Sequence, residues 1–143
     1  MTMTQEIKLT TDQMKLMSLF QNITKATARD CIEDEKRDRI IFVVNEGKMG
    51  LAIGKGGSHI KALQNKIERN VELVEYNEDP IKLLKNILNE KYITDIKISE
   101  RLDGSFQANV EVDGAKKGVV VLARRYFNIT YVMINSKEQA FEW

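Results

Sequence analysis

The chain has 143 residues, of which 43% are hydrophobic and 30% are charged, and its formal net charge at pH 7 is +1. This composition is typical of a globular protein and excludes a disordered or fibrous chain. No apolar run approaches the roughly 20 residues of a membrane helix, and the N-terminus lacks a secretory pattern. With one cysteine, Cys31, and one histidine, His59, we expect a cytoplasmic protein without a membrane segment, disulfide, cofactor or metal site.

The first predicted helix follows a short arm at residues 1–9. Thr10 and Gln13 stand at the spacing of a capping box, so the helix should begin there and continue to about Thr24. Apolar residues then recur at the spacing of one buried helical face. The residues of this face are Leu16, Phe20 and Ile23, with Met17 beside them.

Two strands are predicted next, at 26–33 and 39–45, and the polar turn D-E-K-R-D at 34–38 separates them. The second strand contains the continuous run I-I-F-V-V, which is typical of a well-buried strand. Further along, the pattern predicts a short helix at 47–53, a glycine loop, a helix at 58–69 and a strand at 71–76.

The glycine loop I-G-K-G-G, from Ile53 to Gly57, comes directly before a predicted helix. Glycines let the backbone approach a ligand closely, and the unpaired N–H groups of a helix start favour an anion. Lys55 adds a positive charge at the tip of the loop. This stretch therefore predicts a ligand that carries phosphate.

Two nucleotide-binding patterns fail at defined positions of this loop. The pattern G-x-x-x-x-G-K-[ST] requires a glycine where Met49 stands and a hydroxyl residue where Gly56 stands. The pattern G-x-G-x-x-G requires a glycine where His59 stands. Neither a Ser-His-Asp set nor a metal set is present in the sequence, so we do not expect an enzyme. His59 is compatible with an RNA contact or with an exposed side chain.

The small net charge conceals two basic islands. Gly47–Arg69 contains five basic residues and one acidic residue, and Gly114–Tyr126 contains four basic residues and no acidic residue. The rest of the chain is acidic. Because local charge sets the field that attracts phosphate, each island is a candidate nucleic-acid surface. The alternative is that both are ordinary solvated helix faces.

The second half of the chain repeats the order of the first. Asp79-Pro80 fits an N-cap followed by a first helical residue, and this helix should reach about residue 91. Two strands at 93–101 and 106–112 are then expected on either side of a tight turn at Asp103-Gly104. A last strand at 129–134 and a short tail, which contains Phe141 and Trp143 and should dock on the body, complete the chain.

The second copy is shorter than the first. Lys48–Ile53 matches Lys116–Val121 at an offset of 68, whereas Arg69–Val71 resembles Phe127–Ile129 at an offset of 58. The ten residues that are lost are those that would hold the glycine loop. The second copy therefore either offers a basic surface without a glycine loop or only stabilises the first copy. The residues of the basic surface would be Lys116, Lys117, Arg124 and Arg125.

An I-G-x-x-G loop between two helices and flanked by strands resembles the KH domain, whose loop clamps the backbone of single-stranded nucleic acid. A helix and a strand precede this unit, an order similar to the type II (prokaryotic) arrangement. The resemblance implies an α+β fold of two tandem KH domains, 1–77 with the loop and 78–143 shortened and without it. Each would have a three-stranded mixed sheet covered by helices on one face.

Two such units in one short chain resemble NusA of the archaeal kind. The likeness includes I-K-L-T-T-D-Q-M-K-L-M-S-L-F-Q-N-I-T, A-T-A-R-D-C-I, M-G-L-A-I-G-K-G-G and A-R-R-Y-F-N-I-T. It implies an RNA-binding transcription factor, a monomer, that binds nascent single-stranded RNA and RNA polymerase. Such a factor modulates elongation, pausing and termination or antitermination. The family commonly has a G-x-x-G in the second unit as well, and this chain departs from that pattern.

The resemblance implies that RNA binds at the loop and the start of the following helix. Lys55 and the N–H groups of Gly56 and Gly57 would hold phosphates, while Ile53 and Ile60 would line the apolar side of the groove. The full set is Ile53, Gly54, Lys55, Gly56, Gly57, Ser58, Ile60 and Lys61. Two alternatives stay open: an RNA-processing or ribosome-assembly KH accessory protein, and a scaffold on RNA polymerase with vestigial RNA binding.

Overall fold

A computed structural model of the chain describes residues 9–35, 38–88, 93–112, 126–127, 129–135 and 137–138. These residues belong to two units, one within Lys8–Asn77 and the other within Glu78–Trp143. Each unit combines helices with a mixed β-sheet, so the predicted α+β class with two consecutive units is confirmed. The predicted arm, except for its last residue, lies outside the described residues.

The first unit contains a three-stranded sheet. Its elements are α1 (Thr11–Thr24), β1 (Ala28–Asp34), β2 (Arg39–Val44), α2 (Met49–Ile53), α3 (Ser58–Ile67) and β3 (Asn70–Glu75). The strand order is β1-β2-β3, with β1 and β2 antiparallel and β2 and β3 parallel. A parallel pair needs a crossover connection, and here the crossover consists of α2, the glycine loop and α3. The loop therefore lies at the end of the sheet where β2 and β3 finish.

Helix α1 begins with the predicted capping box. The side-chain oxygen of Thr10 accepts from the N–H of Gln13 at 3.1 Å, and the side-chain oxygen of Gln13 accepts from the N–H of Thr10 at 2.8 Å. Gln13 also donates from Nε2 to the carbonyl of Cys31 at 2.8 Å, which ties the first turn of α1 to β1. The helix ends at Lys25, whose backbone is left-handed with a φ of 64°.

The core of the first unit lies between its helices and its sheet. The run Ile40–Val44 has no solvent exposure at any position, so the prediction of a well-buried strand is confirmed. Phe20 of α1 stacks on Phe42 with the ring centroids 4.6 Å apart. Leu63 and the thiol of Cys31 are also fully buried in this core. Burial of each large apolar side chain contributes about 1.5–3 kcal/mol.

The structure corrects the predicted polar turn at 34–38. Asp34 is the last residue of β1, is buried, and lies 2.8 Å from Nε of Arg39, which also pairs with Glu72 at 2.8 Å. Burial acts to lower the pKa of Arg39, but the hydrogen bonds and charges of Asp34 and Glu72 outweigh it and raise that pKa. Because a buried carboxylate needs a partner, its burial depends on the cation across the sheet. Residues 36 and 37 of the turn lie outside the described residues.

The second unit repeats the strand arrangement of the first. Its elements are α4 (Pro80–Leu88), β4 (Ile93–Glu100), β5 (Phe106–Val112), β6 (Ile129–Ile134) and β7 (Lys137–Glu138). The strand order is β4-β5-β6-β7, with β4 and β5 antiparallel and β5 and β6 parallel. The two-residue strand β7 pairs antiparallel with β6, in a segment predicted to be tail. Phe141 and Trp143 of that tail lie outside the described residues.

Local signals of the second unit are also confirmed. The side chain of Asp79 accepts from the N–H of Ile81 at 2.9 Å, so it caps the start of α4. At the tight turn, Gly104 has a φ of 87° and its N–H donates to the carbonyl of Arg101 at 3.0 Å. Across the described ranges, no helix has both the length and the apolar character that crossing a membrane requires.

Candidate nucleic-acid interface

Three glycines with left-handed backbones form the loop between α2 and α3. The φ angles are 75° at Gly54, 63° at Gly56 and 77° at Gly57, and such values favour glycine over other residues. A 3₁₀ turn at Lys55–Gly57 leads directly into α3, which begins at Ser58. The loop thus connects the end of α2 to the start of α3 through four residues, and Ser58 and Lys61 in the first turn of α3 are exposed.

Gly54 is the most constrained of the three glycines. Its ψ of 168° places it in a backbone region that is essentially restricted to glycine. A Cβ at this position would lie 2.6 Å from Cγ of His59 and 2.8 Å from its Nδ1. At Gly56 and Gly57 a Cβ would meet no atom within 4 Å. Backbone conformation therefore constrains all three glycines, and side-chain contact is an additional constraint on Gly54.

The imidazole of His59 joins α2 to α3. Its Nδ1 lies 2.7 Å from the carbonyl oxygen of Leu51. Because a carbonyl can only accept, Nδ1 carries the proton and donates. The ring thereby satisfies one of the carbonyl groups that the end of a short helix leaves unpaired. The sequence indicated an RNA contact or an exposed side chain for His59. Neither interpretation includes this hydrogen bond, which depends on how α2 and α3 pack.

The predicted phosphate-binding groups lie at the tip of the loop. Lys55 and Gly56 are exposed, and Lys55 is the only charged residue in the loop. The N–H of Gly57, which was also expected to hold phosphate, donates to the carbonyl of Gly54 at 3.1 Å. That N–H is therefore engaged within the loop, and Lys55 with the backbone of Gly56 offers the more accessible contact.

Apolar side chains flank the loop. Ile53, at the end of α2, and Ile60, in the first turn of α3, are both half-buried. Leu51 is 45% exposed and was not among the predicted site residues. The sequence carries no separate signal for Leu51, because its exposure follows from the packing of the short helix, which buries Ala52.

Basic side chains on α3 extend the field of the loop. Ser58 and Lys61 are exposed, and Lys66 is exposed in the last turn. Arg69 behaves differently, because its guanidinium lies 3.7 Å from Glu33 and 3.5 Å from Asp38. Its charge is balanced locally, so the field at the loop comes from the lysines of the island.

The chain is similar in sequence to known proteins with a KH domain. The KH domain family (KH_2) matches residues 16–101. The chain is similar to a protein called probable transcription termination protein NusA from Halobacterium salinarum, with 33% identity over 140 residues, 90% of this chain and 98% of that protein. The chain belongs to the archaeal NusA family of KH-domain proteins.

Other members of the NusA family match over different lengths. A protein with the same name from Methanocaldococcus jannaschii is 26% identical over 148 residues, covering 96% of this chain and 80% of that protein. The one from Methanococcus vannielii is 39% identical over 90 residues, 63% of this chain, and this match spans 51% of that relative's length. Among solved structures, the crystal structure of APE1850 superposes with a TM-score of 0.67 at 36% identity, over 82% of this chain and 86% of that one.

The second basic set of this NusA-family chain is not part of the described site. Its four predicted residues, Lys116, Lys117, Arg124 and Arg125, lie outside the described residues. The structure therefore brings together the loop residues of the first unit alone.

Proposed function

We propose that this chain is an RNA-binding transcription factor of the NusA type, which binds single-stranded nascent RNA through the Gly54–Gly57 loop. Membership of the family and the name that its relatives share support the assignment to transcription. Through RNA and through RNA polymerase, the protein would influence elongation, pausing and termination or antitermination. We propose the first KH domain at 1–77 and the second at 78–143.

The observation that carries this proposal is the shape of the loop. Three left-handed glycines keep side chains away from one face of the loop, and Lys55 stands exposed at its tip. A backbone phosphate can then approach Lys55 and the backbone of Gly56 without steric hindrance. The apolar flank of Ile53, Ile60 and Leu51 offers a surface on which a base can lie.

The test compares RNA binding by the wild-type chain with binding by the Lys55→Asp, Gly56→Asp variant. Labelled single-stranded RNA oligomers are titrated with protein, and the dissociation constant is measured by fluorescence anisotropy. We expect a loss of at least tenfold, because two carboxylates replace a cation and an open backbone where phosphate binds. Circular dichroism should show an unchanged fold, since both positions are exposed, a Cβ at Gly56 meets no atom, and aspartate adopts the left-handed backbone of Gly56 more readily than most residues.

The matched control is Asn65→Asp, Lys66→Asp. It makes the same change in net charge on exposed residues near the other end of α3. We expect this control to lose less than threefold in affinity. Equal losses in the two variants would mean that RNA senses only the total charge, and the loop assignment would be wrong. If the loop variant keeps its affinity for RNA while polymerase still binds, the scaffold alternative gains support.

A further inference from the structure

The first three strands of the two sheets have the same order and directions, but the outward face of the first sheet is apolar at its centre and that of the second is polar. In the first sheet the central strand β2 directs Ile41 and Val43 away from the helices of its unit, and both are fully buried. In the second sheet the register places Gln107 and Asn109 of β5 at the equivalent positions. Both of these amides are half-exposed. An amide pair replaces an apolar pair at the centre of the sheet.

A guanidinium is held in place beside these amides. Cζ of Arg101 lies over the ring of Tyr131 on β6, 3.7 Å from the ring centroid. Its Nη1 donates to Oε1 of Gln107 at 2.6 Å, and Nε2 of Gln107 donates to Oδ1 of Asn109 at 2.7 Å. These contacts hold the guanidinium in place, although Arg101 itself is exposed.

The tight turn between β4 and β5 fixes the backbone beneath this guanidinium. The N–H of Arg101 donates to the carbonyl of Ser105 at 2.7 Å, and its carbonyl accepts from Gly104 at 3.0 Å. The carboxylate of Asp103 accepts from both the N–H and the hydroxyl of Ser105. Both the backbone and the side chain of Arg101 are thus ordered before any ligand binds, which lowers the entropy cost of binding.

The chemistry of this face suits a nucleobase. The guanidinium of Arg101 lies over Tyr131 and is itself exposed, and a guanidinium is a planar group on which a base can stack. The neighbouring side-chain amides carry both donors and acceptors for base edges. The central core of a protein–protein interface is usually more apolar than this row of amides.

The charges of the face argue against binding through phosphates. Lys97 lies in the same outward row as Asn109 with its side chain 76% exposed, and its Nζ is 3.9 Å from the carboxylate of Asp95. Asp95 and Glu111 are opposite each other on the adjacent strands β4 and β5, at the far end of the face. Among the described residues of this face, the two cations, Lys97 and Arg101, are matched in number by the two acids Asp95 and Glu111. This part of the face therefore has no excess positive charge, and we expect its affinity to come from stacking and hydrogen bonds to bases.

We propose that the outward face of the second sheet, centred on Arg101 and Tyr131, is a second contact surface for single-stranded RNA and that it holds bases rather than phosphates. The proposal depends on the proposed function only in taking RNA as the ligand, since it uses no residue of the glycine loop. A second copy that lacks the phosphate clamp would then still contribute to RNA binding.

The test measures RNA affinity of the full chain in three single variants. Arg101→Ala removes the guanidinium, Arg101→Lys keeps the charge but not the planar group, and Lys82→Ala, at an exposed lysine on α4 rather than on the sheet, is the control. Each variant is made in the wild-type chain and in the Lys55→Asp, Gly56→Asp chain. We expect both Arg101 variants to lose about tenfold, the size of one stacked base, and the control to lose less than twofold.

The salt dependence of binding separates this surface from the loop. Removal of a stacking contact should leave the slope of log affinity against log salt unchanged, whereas removal of a phosphate contact lowers it by about 0.7. A second readout is photo-crosslinking of RNA that contains 4-thiouridine, in which we expect a crosslink on the β6 peptide that includes Tyr131. Melting temperatures confirm that the variants are folded.

Three results would overturn the proposal. Wild-type affinity in Arg101→Ala, with no crosslink on β6, would show that RNA does not contact this face. Wild-type affinity in Arg101→Lys would show that only charge matters. Loss of polymerase binding with unchanged RNA binding would make this face a protein surface. Failure of the loop assignment would instead appear as unchanged affinity in Lys55→Asp, Gly56→Asp, whatever the Arg101 variants do.

Discussion

The ring of His59 fixes the path of the backbone at Gly54. Its Nδ1–H holds the carbonyl of Leu51, and its Cγ occupies the space next to the Cα of Gly54. A histidine and a glycine five positions apart therefore act together to set the angle between α2 and the loop. The shape of the candidate RNA site depends on this contact as well as on the flexibility of glycine.

This contact predicts unequal effects of alanine at the first and last glycines of the loop. Gly54→Ala should lower the free energy of unfolding by about 2–3 kcal/mol, because it adds a steric clash to a glycine-only backbone. Gly57→Ala should cost about 1 kcal/mol, the penalty of a left-handed residue in open space. Urea denaturation measures both values, and equal costs would show that the His59 contact is unimportant.

A double variant isolates the steric part of the effect. His59→Ala in the Gly54→Ala background should recover part of the lost free energy, because the clashing ring is gone. Strictly additive effects would contradict this expectation, since residues in contact couple.

The loop illustrates what the sequence could show about single residues. The need for three glycines and the position of Lys55 follow from the local pattern alone. The role of His59 does not, because its partner Leu51 is brought close only when α2 and α3 pack. For the same reason, nothing in the local pattern connects Arg101 with Tyr131, which lies two strands away in the sheet.

At the scale of elements, the sequence was most informative where a signal is local. The capping box of α1, the apolar run of β2 and the N-cap of α4 all depend on residues within a few positions of one another, and each was confirmed. Asp34 was assigned wrongly because its burial depends on Arg39 across the sheet. Strand β7 was missed because two residues carry no periodic pattern.

The capping box predicts the effect of a single change on α1. Thr10→Ala removes the side-chain acceptor for the N–H of Gln13 and should lower the free energy of unfolding by about 1 kcal/mol. Thermal unfolding followed by circular dichroism measures the change. Thr10→Ser keeps the acceptor and is the control, so an equal loss in both variants would exclude the cap as the cause.

The turn between β4 and β5 should respond to acid. The side-chain hydrogen bond from Ser105, followed by the bond from its backbone, lowers the pKa of Asp103. The ionised form is thus favoured in the fold, and its contribution is complete above the ordinary pKa of about 3.9. That contribution is lost as pH falls through the lower, folded value.

An NMR titration of the backbone amide of Ser105 tests this expectation. The resonance should shift with a midpoint below about pH 3.9, the ordinary aspartate value. Asp103→Asn should abolish the shift while the turn is kept, because an amide oxygen still accepts from Ser105. A midpoint at or above the ordinary value would contradict the stabilising role of the carboxylate.

At the scale of the whole molecule, the chain repeats one strand arrangement with two different chemistries. The first unit carries the candidate phosphate-binding loop, and the second carries side-chain amides and an arginine over a tyrosine ring on its outward face. The net charge of +1 hides this division, since local charge and local geometry govern each surface. The repeat itself could be found in the sequence, whereas the difference between the outward faces depends on strand register.

This division predicts a shallow salt dependence of RNA binding. With two or three phosphate contacts from one loop, the slope of log affinity against log salt should be about −1.4 to −2.1 for single strands. Anisotropy titrations at several salt concentrations measure the slope. A value steeper than about −4 would mean that many more cations bind phosphate, and the bulk of the affinity would then lie elsewhere in the chain.

The buried thiol of Cys31 can be used to measure how often the first unit opens. It is the only cysteine in the chain, and it has no solvent exposure. A thiol reagent can therefore modify the protein only when the core of this unit opens, and the rate of modification counts those openings. A ligand that binds only the closed form slows labelling by a factor of one plus its concentration divided by its dissociation constant. The rate of thiol modification in the native chain therefore measures the opening of the unit that carries the glycine loop. The second unit has no cysteine and adds no signal.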